Sequence, residues 1–593
     1  MNLFSQLDCM VADGVYTEAE ADAIRSRAKW LNGLQEEDLL LFLAAGSLND
    51  SESPTPIPPL VAAFDWYPGG GSFASLRGPT PVHSRASAAT MIDITGKVVY
   101  GPENTLLNSQ EFDSIRWTLE SGASVTPNVV SSPDGTLTAD LLECPHTSGN
   151  RDVWQGFILP PGVYTFSIYL RSDTPGTWPL DLQTTAPNFL IANVTTAWKR
   201  FSITVTTTTE DLVSPCACNK QDGAPGHLAS VYAWGAQLER SSVARKYIPT
   251  VSNAVYGPRI TYDPVTHECL GYLAEEQRTN QALWSNDLSN VAWSKSDATL
   301  GNTISPDGSN NTWTITTVFG SSFVSQFGIG VTPSTVYSLS FWAKRGTMSA
   351  VKYSVYDLSN SADIVAPTDY YSQISSSEWT RVTVSFVAPS GCTSIAIYPT
   401  RNSGSVGTVN VYGFQLEAGP FPTSYIPTTT APATRSADVC SITGADFSSF
   451  YNQSEGTIIV EAIPSNHDSY RYAFAITKDN ADSGANEISV RIRPSYDVNV
   501  LVSSSSGTES SYFSMLDGSA FKAGTAFSNT VPATFAKDGV TVVAGAAHTL
   551  LPATTLSIGS QSEPTGFILN GTIARIAYYP VRLQDDKLIE LTQ

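Results

Sequence analysis

Hydrophobic and polar positions alternate along most of this chain. Tyr164-Thr165-Phe166-Ser167-Ile168-Tyr169-Leu170 and Phe201-Ser202-Ile203-Thr204-Val205 put every second side chain on one face, which predicts half-buried β-strands. Residues 337–343 and 382–386 repeat that pair. Each second strand follows a Trp and a basic residue, Trp198-Lys199-Arg200 in one case and Trp379-Thr380-Arg381 in the other. Ser132-Pro133-Asp134-Gly135 and Ser305-Pro306-Asp307-Gly308 are matching turns. Further strands are predicted at residues 456–462, 488–493, 556–559 and 571–579, and a short helix at about 584–591. A helical period appears elsewhere only in residues 1–48. There Thr17-Glu18-Ala19-Glu20 is a capping box, and Ile24, Ala28 and Leu31 form one apolar stripe. Leu39, Leu40, Phe42 and Leu43 mark a second short helix over 36–45. Helices this short need a packing partner. They read as an anchor on another protein or as a cap on the neighbouring domain.

The matching strands belong to a long internal repeat. Asn104-Thr105-Leu106-Leu107-Asn108-Ser109, then Phe112 and Trp117, opens one copy; Gln237-Leu238-Glu239, then Tyr247-Ile248-Pro249-Thr250, closes it. Asn280, Leu288 and Trp293 open the second copy; Gln415-Leu416-Glu417 and Tyr425-Ile426-Pro427-Thr428 close it. Trp117 lies 120 residues before Gln237, and Trp293 lies 122 before Gln415. The reading is mainly β: tandem jelly-roll β-sandwiches at 104–250 and 280–428, and a third sandwich at 435–593. Residues 1–50 form the helical segment, and the proline-rich stretch 51–59 a semi-rigid spacer. Tyr256-Gly257-Pro258 echoes Tyr100-Gly101-Pro102. Residues 60–103 and 251–279 therefore read as a small β unit interrupted by the first module.

Composition narrows the function classes. Charged residues are 15% of the 593 and the net charge is −21, so nucleic-acid phosphates are repelled. No apolar run is long enough for a membrane span. The first eight residues lack a basic and an apolar region, so no secretory signal is expected. Seven cysteines without zinc spacing point to free thiols and synthesis in a reducing compartment.

Four features together resemble a known family. They are Arg85-Ala86-Ser87-Ala88-Ala89-Thr90; Tyr262-Asp263-Pro264-Val265-Thr266-His267-Glu268-Cys269 with Glu275-Glu276-Gln277-Arg278-Thr279-Asn280; the repeated modules; and the C-terminal sandwich. The set resembles tailed-bacteriophage virion proteins of the tail-fibre, head-fibre or minor structural kind. Their modules resemble carbohydrate-binding jelly rolls, and the C-terminal part a concanavalin A-like lectin sandwich. The resemblance implies a fibre or spike protein on the virion surface, assembled in the host cytoplasm. It would display glycan-binding sandwiches for host adsorption, as a homotrimer. Its partners would be other virion proteins, met through Ile24, Ala28, Leu31, Leu39, Phe42 and Leu43, and host cell-surface polysaccharide. An architectural decoration protein and a glycan-cleaving spike are the alternatives. The copies depart where Arg245-Lys246 precedes Tyr247 but Thr423-Ser424 precedes Tyr425.

Glycans are held by aromatic faces and by polar groups that bond hydroxyls. The repeated Trp117, Trp293, Trp198 and Trp379 read as core or closure residues. The candidate platforms are aromatics the copies do not share: Trp154, Trp178, Trp313, Tyr370 and Tyr371. Glu275 and Glu276 are adjacent, so on an extended segment they point apart. They read as partners of arginines such as Arg278 and Arg85 rather than a catalytic pair. No catalytic site, and so no enzyme, is expected. No cofactor is expected beyond structural calcium, for which Asp134 and Asp307 are candidate ligands with a turn role as the alternative.

Overall fold

The structure is a computed structural model that describes residues 62–593. Residues 121, 145–152, 186–187, 219–226, 310–311, 466–468, 479–485, 496, 505–506, 517, 548, 550–551 and 562–566 are excepted. The proposed anchor residues and the proline-rich spacer lie outside the described residues. The fold is mainly β, built from antiparallel sheets, with two short α-helices among the described residues, Gly444–Ser448 and Asp585–Thr592. No helix among the described residues is long and apolar enough to cross a membrane.

Each module is a two-sheet sandwich, and one five-stranded sheet matches strand for strand between the copies, while the other has six strands in the first module and five in the second. In the first, a five-stranded sheet runs in the order Lys199–Thr207, Gly162–Arg171, Ser230–Glu239, Ala139–Glu143, Ser124–Val130. The second reproduces it as Thr380–Val387, Val336–Arg345, Gly407–Ala418, Thr312–Thr317, Ala298–Thr303. Apolar side chains from both sheets fill each core, with Phe166, Ile168 and Leu170 matched by Leu339, Phe341 and Ala343.

The repeated motifs close the sandwiches. Buried Asn104 donates to the carbonyls of Ala236 (3.0 Å) and Ile248 (2.8 Å), and its own oxygen accepts from the amides of Leu106 and Leu238. Asn280 makes the same four bonds with Phe414, Ile426, Ala282 and Leu416. Gln237 and Gln415 each accept an amide from the Ile of the Tyr-Ile-Pro-Thr segment and donate to the following Glu. The Tyr hydroxyl meets Ser109 in one copy and Ser285 in the other, at 2.6 Å in both. The departure at Arg245 falls on this closure. Arg245 pairs with buried Glu239 at 3.1 Å, whereas the Thr423 hydroxyl donates to Glu417 at 2.6 Å. One buried carboxylate is satisfied in two ways.

The third sandwich is not confined to residues 435–593. Phe64–Trp66 pairs with Gly571–Tyr579, and Cys269–Ala274 joins the same strand. Val82–Ser84 pairs with Val439–Thr443 in the opposite, seven-stranded sheet. Phe64, Trp66, Tyr272 and Ala274 belong to the same core as Ile458, Phe474, Val490 and Tyr578. Residues 60–103 and 251–279 are thus no separate unit, because their apolar strands are buried in this framework. Both modules are inserted into it through paired stems. Glu103–Asn104 pairs with Val255–Tyr256, and Arg278–Asn280 with Ala433–Arg435. The remaining hairpin, Thr90–Ile92 with Val98–Tyr100, lies on the second module, where Val98 packs with Trp342, Tyr412 and Tyr425.

A buried charge cluster joins these parts. Asp438 accepts from Arg85 at 2.7 Å and from Arg259. Glu275 meets Arg259 at 2.7 Å, Arg435 at 2.9 Å, and the amide and hydroxyl of Ser424 at 2.6 Å each. Glu276 pairs with Arg278 (2.5 Å) and Arg471 (2.6 Å). The two glutamates do pair with arginines, Arg278 among them, but Arg85 serves Asp438 instead. Burial alone would raise the Glu275 carboxyl, yet Arg435 and Arg259 hold it down at about 2. Burial likewise opposes ionisation of Asp438, and Arg259 and Arg85 hold it well below the usual carboxylate range. His83 stands 4.0 Å from Asp438, and burial keeps it neutral, its imidazole pushed down to about 3.

These shifts set the acid response. Unfolded His takes up its proton below about 6.5 and unfolded Glu below about 4.3, while the folded groups resist further. The unfolded state binds more protons, so stability falls as pH drops. His83 contributes from about pH 6.5 down to about 3, Glu275 from about 4.3 down and Asp438 from about 3.9 down. Denaturant titrations between pH 7 and 3 are expected to show both windows, and His83→Gln to flatten only the upper one. Asn280→Ala strands two buried carbonyls and two amides. It is expected to destabilise the second module by at least about 2 kcal/mol, read from its denaturation midpoint.

Candidate functional site

In the second module, the sheet that lacks the Gln-Leu-Glu strand contains Phe323–Gly330, Ser394–Arg401, Lys352–Asp357 and Ala362–Asp369. Val324, Val355, Ile395 and Ile397 face the core. By the two-residue period of a strand, Phe323, Ser325 and Phe327 therefore face outward, as do Ser354 and Tyr356 on the neighbouring strand. Tyr398 follows the inward Ile397 and so faces outward too, and a register shift between Gln326↔Ile397 and Val324↔Thr400 brings Arg401 to that same face.

An aromatic platform results. Phe323 and Phe327 each meet the Tyr398 ring edge-on at 5.8 Å between centroids. Arg401 lies over Tyr398 at 4.7 Å and over Tyr356 at 5.2 Å. It is fixed by Asp363 at 2.5 Å and by the Ser354 hydroxyl at 3.3 Å. Phe327 is 43% exposed, so an apolar ring edge is offered to solvent beside a held guanidinium. Ser325, between the two phenylalanines, is fully buried, and its hydroxyl has no partner among the described residues. Tyr398 is 6% exposed and supports the platform from beneath. The exposed Phe327 ring, beside an Arg–Asp pair, can take the C–H face of a polyhydroxylated ligand while the pair bonds its hydroxyls.

The aromatics expected from sequence do not come together. Trp178 is fully buried and donates to the Ala217 carbonyl at 2.7 Å; Tyr370 is fully buried and donates to that of Pro399 at 2.9 Å. Neither can stack on a ligand. Trp178 shares the inward phase of Leu180 and Leu182, and Tyr370 packs against Phe341 and Tyr353. Trp313 is half-buried, donates to the Asn286 carbonyl at 2.8 Å and packs on its module's core. Tyr371 is half-buried under Arg345 at 4.4 Å. Trp154, also half-buried, lies on the outward sheet face of the first module, the counterpart of the platform. That face also carries Ile158, Phe189 and Leu212, 65%, 40% and 42% exposed. The platform residues were missed, although Phe323 and Phe327 alternate with the inward Val324 and Gln326.

Trp117 and Trp293 are core residues, as read. The carboxylates of Asp134 and Asp307 are occupied by their own turns. Asp134 accepts from the Ser132 and Thr136 hydroxyls, and Asp307 from those of Ser305 and Ser309. Among the described residues, no three His, Cys, Asp or Glu side chains converge as metal ligands would.

No protein-family model matches the chain, and no curated protein does. Solved structures show low-scoring likenesses. One is the CBM40 of the Ruminococcus gnavus IT-sialidase bound to alpha2,6 sialyllactose, with 13% identity over 24% of this chain and 85% of that one, TM-score 0.22. Another is the tandem CBM22-1-CBM22-2 of Paenibacillus barcinonensis Xyn10C, with 10% identity over 56% of this chain and 99% of that one, TM-score 0.19. A third is the heptameric SAP-like pentraxin from Limulus polyphemus, with 13% identity over 23% and 68%, TM-score 0.18. At these identities and scores no ligand or activity passes to this chain.

Burial separates scaffold from site. Trp178→Ala is expected to cost about 3–5 kcal/mol of first-module stability, measured by chemical denaturation, because it empties a filled core position.

Proposed function

We propose that this chain is a non-enzymatic structural protein of a tailed-bacteriophage virion whose sandwiches hold host-surface polysaccharide. The observation that carries the glycan reading is the platform of Phe323, Phe327, Tyr356 and Tyr398, with Arg401 fixed over two of the rings by Asp363. The virion assignment rests on the resemblance of the Arg85–Thr90 and Tyr262–Asn280 motifs and of the repeated modules. Residues 1–50 would dock the protein to the particle, and the framework would display both modules outward. Weak sites on several copies would act together through avidity. Glu275 and Glu276, the adjacent carboxyls a cleaving spike would first suggest, are committed to arginines.

The test is a glycan array probed with the full chain, followed by titration of the best ligand. Phe327→Ala and Arg401→Ala are expected to weaken binding about tenfold or more, near 1.4 kcal/mol, without shifting the melting temperature. Absence of binding to any array glycan or to host cells would leave an architectural decoration protein. Shortening of a bound polysaccharide would identify a cleaving spike.

A further inference from the structure

The two modules differ in what covers the outer face of the Gln-Leu-Glu sheet. In the second module the hairpin Thr90–Ile92/Val98–Tyr100 lies on it. The Val98 amide donates to the Pro306 carbonyl at 3.1 Å, and the Thr90 hydroxyl to the Tyr425 carbonyl at 2.6 Å. Val98 and Ile92 pack on Trp342, Tyr412, Tyr425 and Trp379. Lys97 reaches over the turn: a Cβ placed on Gly308 would sit 3.1 Å from its Nζ. Pro306 is buried, and Trp342, Tyr412 and Tyr425 are at most 8% exposed.

The first module builds the same face, and among the described residues no hairpin lies on it as residues 90–100 lie on the second. Tyr169, Trp234, Tyr247 and Trp198 stand where Trp342, Tyr412, Tyr425 and Trp379 stand. The supporting arginine is kept as well. Arg200 lies over Tyr169 at 5.4 Å and bonds Ser167, as Arg381 lies over Trp342 at 4.6 Å and bonds Ser340. The turn is kept, with Gly135 at φ 85° against Gly308 at φ 80°. Trp234 stays buried, at 5% against 2% for Tyr412, yet Pro133 is exposed, Tyr169 and Tyr247 are only half-buried, and a Cβ on Gly135 would meet nothing within 4 Å. Asp134 is exposed and held ionised by the Ser132 and Thr136 donors.

We propose that this face of the first module docks a β-hairpin of a partner polypeptide, as the second module docks residues 90–100. The partner's chemistry follows from the occupied copy. It has aliphatic side chains where Ile92 and Val98 stand, a free backbone amide for the Pro133 carbonyl, and a lysine at its tip to lie over Gly135 beside Asp134. A hairpin is favoured over a sugar because the occupied copy shows a backbone hydrogen bond at the turn and aliphatic packing on the rings. The glycan platform of the second module plays no part.

The chain supplies the probe: a cyclised peptide of residues 88–101, added to the full protein. Saturable one-to-one binding is expected, weakened at least tenfold by Tyr169→Ala in the protein and again by Lys97→Glu in the peptide. Hydrogen exchange should slow across Gly162–Arg171 and at residues 132–136, and stay unchanged at Val336–Arg345. Slowing at Val336–Arg345 would mean that the peptide had displaced the chain's own hairpin, and would overturn the proposal. So would absence of binding, or a glycan whose affinity Tyr169→Ala abolishes while the peptide does not compete. Loss of Phe327-dependent glycan binding leaves this proposal standing, so the two readings fail separately.

Discussion

A carboxylate with almost no access to water, that of Asp438, holds the architecture together. Removing an ion from water costs several kcal/mol unless partners replace the lost solvation. Asp438 finds them in Arg85, 353 residues earlier, and in Arg259, 179 residues earlier. The chain can bury this charge only when the segment before the first module, the segment between the modules and the segment after the second have met. Glu275 extends the same logic to Arg435 and to Ser424 of the second module. Apolar burial drives the three segments together without fixing their alignment. The ion cluster rejects a misaligned assembly, because a slip would leave a charge desolvated and unpaired.

The repeat that dominates the chain has a related explanation. Asn104 and Asn280 each satisfy four backbone groups at the point where a module opens and closes. No other side chain offers two donors and an acceptor of that size. Gly413 sits against Trp342, where an added Cβ would come within 2.9 Å of the ring, and Gly235 holds the same place with φ 64°. What the copies share is therefore closure chemistry. What they do not share, such as the Arg401 platform, is where ligand preference can differ.

Local regularities were legible in the chain. Alternation placed the strands at residues 164–170, 337–343 and 571–579, and repetition placed the modules. Adjacent, oppositely directed glutamates correctly suggested arginine partners. Two kinds of information were not local. The partner of Phe64–Trp66 lies at Gly571–Tyr579, and no pattern in either strand names the other. The phase of a side chain was readable but went unused. Trp178 alternates in step with Leu180 and Leu182, which sends it inward, whereas Phe323 and Phe327 are out of step with Val324 and go outward. Difference between the copies is not by itself a mark of a binding face, since Trp178 and Tyr370 differ between them and both lie in the core.

Nesting has a consequence for biosynthesis. Asp65 and its bidentate partner Arg575 are 510 residues apart, with both modules between them. At roughly 5–20 residues per second, the first framework strands wait on the ribosome about 25–100 s for their neighbours. In that interval each module can fold as soon as its own stem has emerged, while Phe64, Trp66 and the edge they present stay without a sheet. The newborn chain is a string of finished beads on an unfinished thread until Gly571–Tyr579 is made and gives Phe64–Trp66 a partner strand.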